Sequence, residues 1–91
     1  MGVRINIPLF LQRLVPNDVK ISEVNGNTVG ECLRHLVEQF PIIEKGLFDK
    51  NGKLTPNIDI YVNKESTYPE ELSKPVKDGD ELDIIIIIGG G

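Results

Sequence analysis

An α+β fold built around one main helix is predicted by three features of the chain. Two short segments of alternating polarity open it, an amphipathic segment of helical period follows behind a capping pair, and two further strand-like runs close it. With 91 residues, 40% of them hydrophobic and 26% charged, the composition is that of a single folded domain. A chain this long buries roughly 60–70% of its unfolded surface, enough for one core and no second.

Val3, Ile5, Ile7 and Leu9 alternate with Arg4, Asn6, Pro8 and Phe10, the period of two that suits a strand with one face on the core. Pro8 has no amide hydrogen to give a ladder, so regular pairing is expected to end near it and a loop to run through Arg13 to Asp18. Val19 and Ile21 then alternate with Lys20 and Ser22, a second short strand closed by the turn residues Asn25, Gly26 and Asn27. Strands this close in sequence most simply form a hairpin.

Thr28 and Glu31 stand three apart as a capping box, each side chain able to satisfy a free backbone amide, and a helix is expected from Thr28 to Phe40. Val29, Cys32, Leu33, Leu36, Val37 and Phe40 form its apolar stripe, with Glu31, Arg34, His35, Glu38 and Gln39 on the other side. Pro41 ends it, and Ile42, Ile43, Leu47 and Phe48 suggest a short helical continuation stopped at Gly46 or at the turn around Asn51 and Gly52. Ile58, Ile60 and Val62 mark a third strand, while the polar stretch from Tyr68 to Lys74 is irregular apart from Leu72 dipping into the core. Asp78, Gly79 and Asp80 form a turn in which Gly79 takes positive φ. Leu82 to Ile88 is the last strand; β-branching at five successive isoleucines favours extended backbone, and so apolar a run belongs in the middle of a sheet. The predicted core joins Ile5, Ile7, Leu33, Leu36, Val37, Ile60 and Leu82.

Ten basic against fourteen acidic residues give a net charge of -4, which opposes contact with nucleic acid or an anionic membrane. The longest apolar run, Ile84 to Ile88, is far short of the roughly 20 residues a membrane helix needs. Without a signal-like opening the chain reads as cytoplasmic. One cysteine and one histidine make neither an internal disulfide nor a four-ligand zinc site.

In order and spacing, the helix start NTVGECLRHL from Asn27, the IDIYVN strand from Ile58, the KDGDEL turn from Lys77 and the closing Gly89, Gly90 and Gly91 resemble the ubiquitin-like sulfur carriers of the MoaD and ThiS superfamily. The resemblance covers the whole chain. It implies a β-grasp domain over residues 1–88, a mixed sheet with one helix packed across one face and the first and last strands parallel neighbours, followed by a flexible glycine tail, 89–91. Length and the IDIYVN segment resemble the small subunit of molybdopterin synthase. The opening IPLFLQRL is closer to carriers serving amino-acid biosynthesis, and isoleucines stand here where the molybdopterin type has a Pro-Ala-Val-Ala-like segment.

The chemistry implied is that of a carboxylate. A C-terminal carboxylate is ionised at neutral pH and resonance-stabilised, hence a poor electrophile until it is adenylated. In the family an E1-like enzyme spends ATP on that step, and a sulfur donor, a cysteine desulfurase or rhodanese-like protein, converts the mixed anhydride to a thiocarboxylate. An acceptor enzyme such as a molybdopterin-synthase large subunit then takes the sulfur. Gly91 would bear the sulfur, with Gly89 and Gly90 as a slim tail that reaches on the order of 10 Å. The carrier is then not an enzyme, and binds no cofactor of its own.

Among the remaining candidates, Cys32 lies on the helix's apolar stripe and reads as a small core residue, and His35 as a surface residue. The two aspartates of the turn are explained by the turn. Ile85 and Ile87 face away from Leu82, Ile84 and Ile86, and a single helix covers one sheet face only, so one set is left for a partner surface that Phe10 and Tyr61 would join. Two other readings share the fold: a noncovalent ubiquitin-like interaction module, and a protein modifier conjugated through its terminal glycine to a lysine.

Overall fold

The computed structural model describes residues 2–15 and 19–87. A five-stranded mixed sheet carries one long helix on one face. Strands β1 (Val3–Asn6) and β2 (Ile21–Val24) form an antiparallel hairpin; β3 (Ile58–Val62), β4 (Glu65–Ser66) and β5 (Glu81–Ile86) complete the order β2-β1-β5-β3-β4. The first and last strands are parallel neighbours, pairing Arg4, Ile5 and Asn6 with Glu81, Leu82 and Asp83. This is the β-grasp arrangement, with β5 central between β1 and β3.

Helix α2 (Val29–Gln39) follows the boundaries read from the sequence, with Thr28 as N-cap and Phe40 as C-cap. The Thr28 hydroxyl accepts from the Glu31 amide at 3.2 Å, but the Glu31 carboxylate reaches one residue further back, accepting from the Asn27 amide at 2.8 Å. Asn27 to Val29 are held there because they pair with the segment before β5: Val29 N–H donates to Lys74 O, and Val76 N–H to Asn27 O. Gly30 permits this close approach, since a Cβ there would stand 3.0 Å from the carbonyl oxygen of Leu72.

Val29, Cys32, Leu33 and Leu36 point from α2 into the core, where they meet Val3, Ile5, Ile60, Leu82 and Ile84. Val37, expected among them, is only half-buried at the margin. After α2, Pro41–Ile43 form a 3₁₀ turn that runs into α3 (Glu44–Leu47). The stop falls between the two expected signals: Gly46 lies inside α3, which ends at Leu47 as Phe48 turns extended, and a reversal follows at Asp49, whose carboxylate accepts from the amides of Asn51 and Lys53 while Gly52 takes φ +81.

Further features differ from the sequence reading. The loop expected after Pro8 begins with a helical turn, α1 (Leu9–Gln12), in which the Leu11 and Gln12 amides donate to Pro8 O; full burial of Leu11 holds the turn in place. The rest of that expected loop, from position 16 to 18, lies outside the described residues. In β2 the apolar alternation is out of phase with the sheet. Ser22 and Val24 face the core and Ile21 is half exposed, because β2 pairs Val24 with Val3, and a one-residue phase shift exchanges the faces of a strand. Ser22 tolerates burial by donating its hydroxyl to Gln39 Oε1 at 2.6 Å. Finally, β4 is added by a tight reversal at Asn63 and Lys64, both at positive φ.

Candidate functional site: the open sheet face and the end of β5

On β5, Leu82 and Ile84 are buried under α2 and Ile86 packs against the same core, so Asp83 and Ile85 fall on the opposite, uncovered face. Ile85 pairs across β3 with Asp59, and Asp83 with Tyr61, which places Tyr61 on that face, half-buried. Ile85 is 38% exposed and Ile87 51%. Phe10, the fourth residue expected in this surface, leans from α1 against the core and is half-buried. Gly89, Gly90 and Gly91, expected to be the reactive tail, lie outside the described residues, as does Ile88.

Topology adds two residues that the sequence reading did not place here. Because β1 runs parallel to β5 and β2 antiparallel to β1, the start of β2 and the segment just after β1 share the end of the sheet at which β5 finishes. Ile21, 51% exposed, and Leu9, 79% exposed, therefore stand at the same end as Ile87. Leu9 looked like a core residue because it continues the alternation of β1. Helical φ/ψ beginning at Leu9 breaks that alternation, and Pro8 before it was the available signal.

The rest of the open face is polar and internally bonded. Asn6 Nδ2 donates to both Glu81 Oε2 at 2.6 Å and Asp83 Oδ1 at 2.7 Å, and Lys64 Nζ stands 3.7 Å from Asp83. Asp59 accepts the Ser66 hydroxyl at 2.7 Å. An apolar end and a charged remainder thus share one face.

Last described along β5, Ile87 donates its amide to Asn57 O at 2.8 Å, and Ile58 opposes Ile86. The strand is consequently held on both sides from Glu81 to Asp83, by β1 and β3, and on the β3 side alone from there to Ile87. At its other end the turn is locked by Asp80, which is buried. Its carboxylate is held below the ordinary range first by the hydrogen bond from Asn63 Nδ2 at 3.0 Å and then by the Lys77 amide at 2.9 Å. Gly79 sits at φ +91, the conformation this reversal needs.

A folded-state pKa below the unfolded value makes a group stabilise the fold above the unfolded pKa and lose that contribution as pH falls through the folded one. Stability should therefore fall below about pH 3.8 partly through Asp80. Asp80→Asn should cost about 1–2 kcal/mol at pH 7 and flatten that part of the acid limb, as urea unfolding at stepped pH would show. An unchanged acid limb in the variant would remove Asp80 from this role.

Burial, followed by the nearby charges of Glu31 and Asp80, pushes the Cys32 thiol up to about 11, so it is protonated and inert at neutral pH. His35 is occupied as an acceptor from the Asn25 amide at 2.8 Å. An open groove of about 520 Å³ lies on the helix side between Arg34, His35, Glu38, Phe48 and Leu72 and is lined by no thiol or hydroxyl. Among the described residues no group of three or more His, Cys, Asp or Glu could hold a metal ion, and no helix is long and apolar enough to cross a membrane.

Comparison with known structures gives similarity over the full chain. A chain of the Amycolatopsis orientalis BexX/CysO complex superposes with a TM-score of 0.86 at 32% identity, covering 99% of this chain and 100% of that one. Mycobacterium tuberculosis CysO, described as an antigen, gives 0.85 at 28% identity, covering 96% and 100%. SAMP1 from Haloferax volcanii gives 0.77 at 27% identity, covering 98% of each chain. Among curated proteins no sequence match is found. The ThiS family model matches residues 5–91, from the first buried isoleucine of β1 through the closing glycines, and the chain accordingly belongs to the ThiS family of ubiquitin-like sulfur carriers.

Proposed function

We propose that the protein carries sulfur as a thiocarboxylate on Gly91. The observation that carries this reading is the path of β5: a central strand, paired on both sides and anchored to Ile87, with exposed Ile85 and Ile87 just ahead of three glycines. In the first step the Gly91 carboxylate attacks the α-phosphorus of ATP in an E1-like enzyme and pyrophosphate leaves. The terminal sulfur of a persulfide on a cysteine desulfurase or a rhodanese-like donor then attacks the acyl carbon and AMP leaves, giving an acyl disulfide. A second thiol attacks the donor's own sulfur, which frees the thiocarboxylate and leaves a disulfide on the donor. A sulfur-incorporating enzyme of cofactor or amino-acid biosynthesis, of which the molybdopterin-synthase large subunit is one type, accepts the sulfur. The carrier contributes position and a tail without side chains, so that adenylation and transfer occur in the partners.

A direct test is intact-mass measurement after incubation with ATP, the cognate activating enzyme and a sulfur source. A gain of about 16 Da on the C-terminal peptide is expected, as sulfur replaces one oxygen; unchanged mass with an active enzyme would sink the reading. The similarity to SAMP1, a small archaeal modifier protein, supports a second use of the same activated terminus, in which a lysine amine attacks the adenylate and AMP leaves. Isopeptide-linked products on acceptor proteins would reveal it.

The open face supports the docking step. Ile85→Asp places a charge in the apolar end of that face without entering the core, and should weaken binding to the activating enzyme on the order of tenfold or more. Calorimetric titration measures it, with circular dichroism to confirm the fold. Equal affinity for the variant would take Ile85 out of the contact.

A further inference from the structure

Every sheet that is not closed has two edges, and an edge strand presents backbone N–H and C=O groups to any strand that meets it. In this sheet the edges are β4, only two residues long, and β2. The hairpin register fixes which groups of β2 point outward. Ile7 N–H donates to Lys20 O, so Lys20, Ser22 and Val24 turn their backbone groups toward β1, and Ile21, Glu23 and Asn25 turn theirs away.

Two of those outward groups are already occupied, and both by side chains of α2. Gln39 Nε2 donates to Glu23 O at 3.1 Å, and His35 Nδ1 accepts from Asn25 N–H at 2.8 Å. They sit one helical turn apart, as the groups they meet sit two residues apart on the strand, so donor and acceptor match the alternation a pairing strand would supply. Gln39 is itself fixed, since its Oε1 accepts the Ser22 hydroxyl at 2.6 Å. Neither bond belongs to the carrier chemistry, and neither is needed to close α2, whose cap amide at Phe40 is satisfied by Leu36 O.

We propose that His35 and Gln39 are guards of the β2 edge, which hold the backbone groups of Glu23 and Asn25 so that the strand cannot pair with β2 of a second copy of this chain. The occupant excluded is a second copy because the strand it would bring is the same one: antiparallel pairing of β2 with β2 is self-complementary about a twofold axis and would join two sheets into one. Exposed Ile21 on the open face would add apolar contact to that pairing. Guarding the edge keeps the carrier single, and keeps the end of the sheet that holds Ile21, Leu9 and Ile87 clear for partners.

The test is oligomeric state. Full-length chain and the His35→Ala/Gln39→Ala variant are compared by sedimentation and light scattering over a concentration series at pH 7.5. The variant is expected to self-associate at least on the order of tenfold more tightly than the parent, having exposed two backbone groups per copy. Adding Glu23→Pro to the variant should restore the monomer, because that amide points away from β1 and its loss breaks no rung of the hairpin. A His35→Leu/Gln39→Leu variant keeps bulk on the helix while removing the hydrogen bonds, and should behave as the alanine variant does. Folded variants that remain as monomeric as the parent would overturn the proposal. So would association that survives Glu23→Pro, which would lie on another surface, and so would failure of both double variants to fold, which would make these side chains struts of the hairpin and not guards.

Discussion

A chain lacking Gly90 and Gly91 is expected to fold as the parent does and to gain no sulfur. The fold should survive because the core is complete without them: Val3, Ile5, Leu33, Leu36, Ile60 and Leu82 are fully or almost fully buried within the described residues, and glycines bring no side chain to it. On the proposed function, chemistry should vanish because the reactive group would be a carboxylate at a set distance from an anchored strand. The last anchor among the described residues is the Ile87 amide on Asn57 O, and four residues follow it in the sequence. At most ~3.5 Å each, they reach about 14 Å, and removing two halves that. One extra residue appended after Gly91 should also abolish the gain, since the carboxylate would then be displaced beyond its working position. The measurement is the same intact-mass shift, with thermal unfolding as the control for fold. Sulfur appearing equally on the shortened chain would move it to Cys32 as a persulfide, against the protonated, buried state of that thiol.

The main helix was legible in the sequence for physical reasons. Helix α2 announced itself through a cap and a stripe, both local in sequence, and its ends fell where Thr28 and Pro41 put them. The central position of β5 was readable from its isoleucines, because a run that is apolar on both faces suits a strand in the middle of a sheet. Gly79 and the Asp80 turn were readable in the same local way.

What escaped were features set by partners distant in the chain. The phase of β2 is imposed by Val24 meeting Val3, and nothing within the segment from Val19 to Val24 reveals it; Val19 and Ile21 look like the inward pair, yet Ser22 is the residue that turns in, satisfied by Gln39 seventeen positions away. The two-residue β4 depends on a reversal in which Lys64 adopts positive φ, a conformation its side chain does not advertise. The same holds for the site. Ile85 and Ile87 could be set apart by alternation alone, but that Leu9 and Ile21 share their end of the sheet follows only from the directions of β1, β2 and β5. Phe10 could be counted apolar from sequence, and only the helical turn at Leu9–Gln12 shows that it leans on the core.

Leu36→Ala should have the largest effect on stability, a loss of about 2–5 kcal/mol, because the missing methyls forfeit their transfer energy and leave a cavity that the packed sheet cannot close. Leu36 has no exposed surface, lies at the centre of the α2 stripe, and belongs to the same buried cluster as Ile5, Ile60 and Leu82 on three adjacent strands. Small domains have only about 5–15 kcal/mol in total, so the variant stands close to unfolding. Its melting temperature should drop by on the order of 10 °C or more. Val37→Ala, one residue along and half-buried, provides the contrast and should cost about 1 kcal/mol. Urea unfolding with a common m-value for all three chains decides between them. Equal midpoints for Leu36→Ala and the parent would place Leu36 outside the core. The variant also separates stability from function: held below its melting temperature, it presents the same open face and the same glycines, and should still gain sulfur at Gly91 wherever the parent does.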